Sequence, residues 1–175
     1  MFSMAVAAAR RRRFAVAAAL VTVLLAPATA VGAVAVPAAQ ASVSHSAVTS
    51  SNGGSSAGNA ALDWAERYAE GCWYSYGGSN CSPGYDCSGL VMRAFVHARG
   101  IWLPHSTYAM LGDSHLHRIP LSQAGRGDLM FYGSGHVEFD TIWYHQTFGA
   151  HAPGQRVGYI EWGGSWQPTA AYRVS

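Results

Sequence analysis

Gly84-Tyr85-Asp86-Cys87-Ser88-Gly89-Leu90-Val91 is the stretch on which the reading of this chain turns. The residues after it keep helical spacing: Leu90, Val91, Ala94, Phe95 and Ala98, with Gly100 as the stop. Cys87 therefore stands at the start of a helix. The first N–H groups of a helix are unpaired and carry the positive end of its dipole. They favour a thiolate over a thiol, and thiolate is the nucleophilic form. The same groups can receive a developing oxyanion. A buried cysteine is ordinarily an inert small hydrophobe. One flanked by Asp, Ser and Gly at a helix start reads instead as a nucleophile, and its imidazole partner must come from a distant part of the chain.

Working outward, Asn59 can cap an earlier helix over residues 60–70, with Leu62, Ala65 and Ala69 on one stripe and Gly71 as its stop. Residues 72–85 read as a loop rich in Gly, Ser and aromatics. Pro104 and Ser106 open a third, short helix ending at Met110 or Leu111. Beyond Gly127 the character changes. Residues 129–132 are a short apolar run closed by Gly133-Ser134-Gly135, and residues 136–142 alternate with period two. Residues 147–151, 156–160 and 172–174 are further strands, separated by Pro153-Gly154 and Gly163-Gly164. Helices first and strands afterwards imply an α+β fold, with helices packed on one side of an antiparallel sheet. His136 lies on one of these strands, where it can supply the imidazole.

The 175 residues hold one ordinary domain plus accessory segments. Half are apolar and 11% are charged, so a packed core is within reach. Residues 1–41 read as an export signal: Arg10 to Arg13 form the positive end, residues 14–26 the apolar core, and Ala28-Thr29-Ala30 and Ala39-Gln40-Ala41 are cleavage candidates. An uncleaved anchor is the competing reading. It is opposed by Pro27, Gly32, Pro37 and the many weakly apolar alanines. Arg11-Arg12-Arg13-Phe14 also fits the twin-arginine route. Residues 42–58 are a Ser/Gly-rich linker and 59–175 the folded domain. All eleven basic residues are arginines, and loss of the first 41 residues turns the formal charge from +2 to −2. That leaves no basic patch for a phosphate backbone, which argues against nucleic acid as a partner.

The motif around Cys87 resembles the nucleophile motif of the NlpC-type cysteine peptidases, papain-like enzymes that cut peptidoglycan stem peptides. The likeness continues in order along the chain. It takes in Tyr74-Ser75-Tyr76-Gly77-Gly78, Leu103-Pro104-His105-Ser106, the run from Gly127 to Tyr132, Gly135-His136-Val137 and Ala150-His151-Ala152-Pro153. The resemblance implies Cys87 as nucleophile and His136 as general base and then acid. It implies His151 as the group holding the second ring nitrogen of His136. Tyr74 would line the site and help hold the oxyanion, while Asp86 and Ser88 would contact substrate or shape the turn. The implied reaction is hydrolysis, through an acyl-enzyme, of the amide between D-glutamate and a diamino acid in the stem peptide. An amidase, an acyltransferase and a catalytically silent wall-binding module are the alternatives. A secreted monomer acting at the bacterial cell wall is expected, touching a membrane only through its export signal. Two positions depart from the family pattern: His105, where arginine is frequent, and Glu138, where a small residue is frequent. Strand alternation puts Glu138 on the face of His136, where it could face the cleft and bias the substrate charge.

The other cysteines read differently. Cys72 and Cys81 lie nine positions apart in an exported chain, which predicts a structural disulfide. Among the eight histidines, His115 and His117 fall in a polar connector and are expected at the surface. His145 competes with His151 as orienter, but its Trp-Tyr-His-Gln context reads as a turn. With no H-E-x-x-H or C-x-x-C spacing, neither a metal nor another cofactor is expected.

Overall fold

The computed structural model describes residues 53–175, so the segment expected to be an export signal and most of the expected linker lie outside the described residues. Helix α1 (Ser56–Tyr68) starts inside the segment read as linker. Its cap is Ser55, whose Oγ accepts from the N–H of Gly58, and not Asn59, which instead donates to the Ser55 carbonyl. The early start has a packing reason. Gly58 lies against the backbone of Gly127, where a Cβ would come within 2.4 Å of the carbonyl oxygen. The expected loop after α1 contains a small antiparallel pair, β1 (Ser79–Asn80) and β2 (Gly84–Tyr85). Then come α2 (Cys87–Arg99) and α3 (Thr107–Met110).

Six strands follow: β3 (Leu116–Ile119), β4 (Leu129–Tyr132), β5 (His136–Asp140), β6 (Gln146–Gly149), β7 (Gly158–Glu161) and β8 (Ala170–Val174). They form one sheet in the order β3-β8-β4-β5-β6-β7, with every neighbouring pair antiparallel. The expected polar connector contains the edge strand β3, which carries His117 on its exposed stretch. β5 ends at Asp140, short of the expected Ile142, because the chain turns there: Ile142, Trp143 and Tyr144 are exposed and His145 takes a positive φ of 59°.

The alternation of β5 divides the molecule. Val137 and Phe139 face the helices, with Phe139 packed on Phe95 of α2 at 5.9 Å between ring centroids. Phe131 pairs with Val137, and Leu129 and Phe148 pair with Phe139, so one apolar face closes the core against α1 and α2. His136, Glu138 and Asp140 point to the opposite face. Thr147 and Gly149 of β6 share it, and the parity carries on to His151 just beyond the strand. Gly149 is required there, because the Glu138 side chain lies across it and an added Cβ would meet Glu138 Cγ at 2.6 Å.

Candidate active site

Asp86 is the organising residue at the start of α2. It is the N-cap, and its carboxylate accepts from the Gly89 N–H at 2.6 Å, the Gly77 N–H at 2.8 Å and the Ser88 hydroxyl at 3.2 Å. His105 Nε2 lies 3.0 Å from the same carboxylate, so the residue at the unusual position still engages the turn. Asp86 and Ser88 thus shape the turn, and both also border the cleft. Because Asp86 takes up the N–H of Gly89 and, through its carbonyl, that of Leu90, the N–H groups of Cys87 and Ser88 remain available to a ligand. The Cys72–Cys81 disulfide is formed, and Cys87 is the free cysteine.

Cys87 is buried on the wall of a cleft of about 410 Å³, which Tyr74, His105, Thr107, Tyr108 and His136 also line. Burial opposes its ionisation. Hydrogen bonding to His136, the charge of that ring, the Thr107 hydroxyl and the Val137 N–H outweigh burial and hold the thiol below its usual value. Thr107 Oγ1 lies 3.7 Å from the sulfur and had no signal in the sequence. Tyr74 titrates above its ordinary value, first through burial and then through the neighbouring Cys87 and Asp86.

The group in contact with the His136 ring differs from expectation. His136 Nε2 lies 2.9 Å from Oε1 of Glu138, and His151 Nδ1 lies 2.9 Å from the same oxygen. His151 therefore holds the carboxylate, and the carboxylate holds His136, whose Nδ1 is left for the sulfur. Glu138 does not face the cleft: its side chain is 0% exposed, and Thr147 Oγ1 donates to its other oxygen at 2.5 Å. Burial would raise the Glu138 carboxyl, but hydrogen bonds from His136 and His151 and the His136 charge pull it down to about 2. Burial likewise opposes the His136 charge, yet Cys87 and Glu138 lift the ring to about 9. Together these shifts favour the thiolate of Cys87 and the imidazolium of His136 over their neutral forms, beside a buried carboxylate. Trp166 covers the cluster edge-on, at 5.4 Å from the His136 ring and 5.0 Å from that of His151. Ligand atoms of His136, Glu138 and His151 lie within 4.8 Å of one another, a set with metal-binding chemistry, although here they hydrogen-bond each other. His145 stands apart, stacked on Tyr144 and tilted against Trp162.

A thiol at a helix start, opposed by a histidine on an antiparallel sheet, is the papain-like architecture. The chain belongs to the NlpC/P60 family, whose profile matches residues 71–170. The solved NlpC/P60 domain of the peptidoglycan hydrolase SagA superposes with a TM-score of 0.57 at 31% identity, covering 67% of this chain and 97% of that one. The Resuscitation Promoting Factor Interacting protein RipA gives 0.58 at 28% identity, covering 67% and 62%. Among curated relatives, the bifunctional muramidase/DL-endopeptidase CwlT of Bacillus subtilis is 44% identical over 64 residues, which is 37% of this chain and 18% of that protein. The peptidoglycan endopeptidase RipA of Mycobacterium tuberculosis is 37% identical over 82 residues, 40% of this chain and 17% of that protein. The chain thus matches less than a fifth of the length of these curated relatives.

Proposed function

We propose that this protein is a secreted cysteine peptidase that hydrolyses an amide bond in peptidoglycan stem peptides, of the D-glutamyl–diamino acid type. The observation that carries this reading is that Cys87, at the start of α2, and His136, on β5, line one open cleft, with the thiol held below and the imidazole above its usual value. Cys87 attacks the scissile carbonyl, and the N–H groups of Cys87 and Ser88, with Tyr74 alongside, receive the oxyanion. His136 gives its proton to the leaving amine, then takes one from the water that releases the acyl group. Glu138 keeps the ring turned toward the sulfur and stabilises its charge. The naming of CwlT and RipA as endopeptidases supports the bond type. The signal-like residues 1–41 support export. A silent wall-binding module would have no use for this pair. Digestion of purified peptidoglycan, with fragment masses read against a Cys87→Ala control, tests the proposal. New amino termini on the diamino acid are expected with the intact protein only. Fragments cut at the sugar–peptide junction, or equal digestion by the variant, would overturn it.

A further inference from the structure

We propose that a second cavity, at the other end of β5 from Cys87, binds an ammonium-bearing amino-acid side chain, with Asp140 as counter-ion and Trp143 and Tyr144 as an aromatic rim. This cavity holds about 390 Å³ and shares no lining residue with the Cys87 cleft. Asp140 and His136 stand at opposite ends of the strand, roughly 13 Å apart by strand rise. The volume lies at the lower end of the range for small-ligand sites.

The charge pattern sets the ligand class. Asp140 is buried at 9% exposure, and the one hydrogen bond its carboxylate accepts among the described residues comes from the Thr141 N–H at 3.1 Å. The nearby acid Asp128 is paired with Arg173 at 2.7 Å, whereas no cation is paired with Asp140 among the described residues. Burial, with the charge of Asp128 added, lifts its carboxyl to about 7. A buried carboxyl without a cation is partly protonated near neutral pH, and a ligand ammonium favours its ionised form and completes an ion pair. The rim suits the same group. Trp143 is 64% and Tyr144 89% exposed, which leaves Trp143 and the Tyr144 face turned away from His145 open to a cation. Trp162, also in the wall, has a buried indole N–H with no partner among the described residues. No arginine lines the cavity and the chain has no lysine, so an anionic ligand finds no countercharge beyond His145.

The test uses the full chain carrying Cys87→Ala, so that binding is read without turnover and independently of the peptidase proposal. The protein is titrated with Nα-acetyl-lysine amide and with Nα-acetyl-norleucine amide, which lacks the ammonium group, following the tryptophan indole N–H resonances. The lysine probe is expected to shift Trp143 and Trp162 and to bind at least tenfold more tightly than the norleucine probe. Asp140→Asn should abolish that preference, and Trp143→Ala should weaken lysine-probe binding about threefold or more. Absence of binding, equal affinity for the two probes, an unchanged preference in Asp140→Asn, or shifts confined to the Cys87 cleft would overturn the proposal. Should Asp140→Asn fail to fold, the exposed Trp143→Ala decides, and unchanged affinity there overturns it.

Discussion

At the scale of single residues, the arrangement turns on which group holds the far nitrogen of His136. Glu138 does so directly, and His151 acts through it. Glu138→Gln keeps the shape but removes the charge that stabilises the imidazolium. We expect kcat/KM to fall by about 10²- to 10⁴-fold, in line with orienting-carboxylate substitutions in other triads. His151→Ala leaves the carboxylate in place and should cost only about tenfold. Steady-state kinetics on one stem peptide distinguishes them, and a larger loss in His151→Ala would restore His151 as the direct orienter. The pH profile follows from the same contacts. The pair is complete once Cys87 has lost its proton and while His136 keeps its own, so kcat/KM should rise through the lowered thiol value. It should then decline as the pH passes about 9. Glu138→Gln removes one of the groups that lift His136, so its alkaline limb should move to lower pH. A limb that stays in place would show that Glu138 does not set the ring's charge.

At the scale of elements, the start of α2 is fixed by one buried side chain. Asp86 caps the helix, ties the Gly77 turn to it and meets His105. Asp86→Ala removes several hydrogen bonds at once and should destabilise the fold by about 2 kcal/mol or more, above a simple cap loss. Denaturant unfolding measures this, and a loss under about 0.5 kcal/mol would reduce Asp86 to an ordinary cap. The preceding loop is closed by the Cys72–Cys81 bond across a separation of nine. The Cys72→Ser/Cys81→Ser double variant should lose about 2–3 kcal/mol on the chain-entropy account. It should also raise KM more than it lowers kcat, because Tyr74 lies in that loop on the wall of the cleft. Unchanged unfolding would mean the loop is held by its hydrogen bonds alone.

At the scale of the whole molecule, the chain's late strands lock its middle. Arg173 on β8 pairs with fully buried Asp128, just before β4, and Arg126 reaches Asp63 and Glu66 on α1. Arg173→Met strands the Asp128 charge and should cost about 3 kcal/mol, the low end for a broken buried pair, since Arg173 is partly exposed. The denaturation midpoint at constant m reads this out, and a shift worth less than about 1 kcal/mol would show that Asp128 is relieved otherwise. Sequence periodicity sufficed for α2 and for the α+β order of elements, because apolar spacing reports directly on which face is buried. It sufficed to place Cys87 at a helix start and His136 on a strand, because both are local features. It did not reach β3, whose pairing with β8 is set by a partner more than fifty residues away. Nor did it reach the Ser55 cap, which depends on Gly58 packing against Gly127. Alternation placed Glu138 on the face of His136 but could not tell a solvated face from a covered one. Thr147, the bare Gly149 and the Trp166 turn bury that face, and they come from segments distant in sequence. Local chemistry named the thiol and its imidazole. The carboxylate between two histidines was decided only by folding, since its role depends on desolvation and on partners that no local pattern brings together.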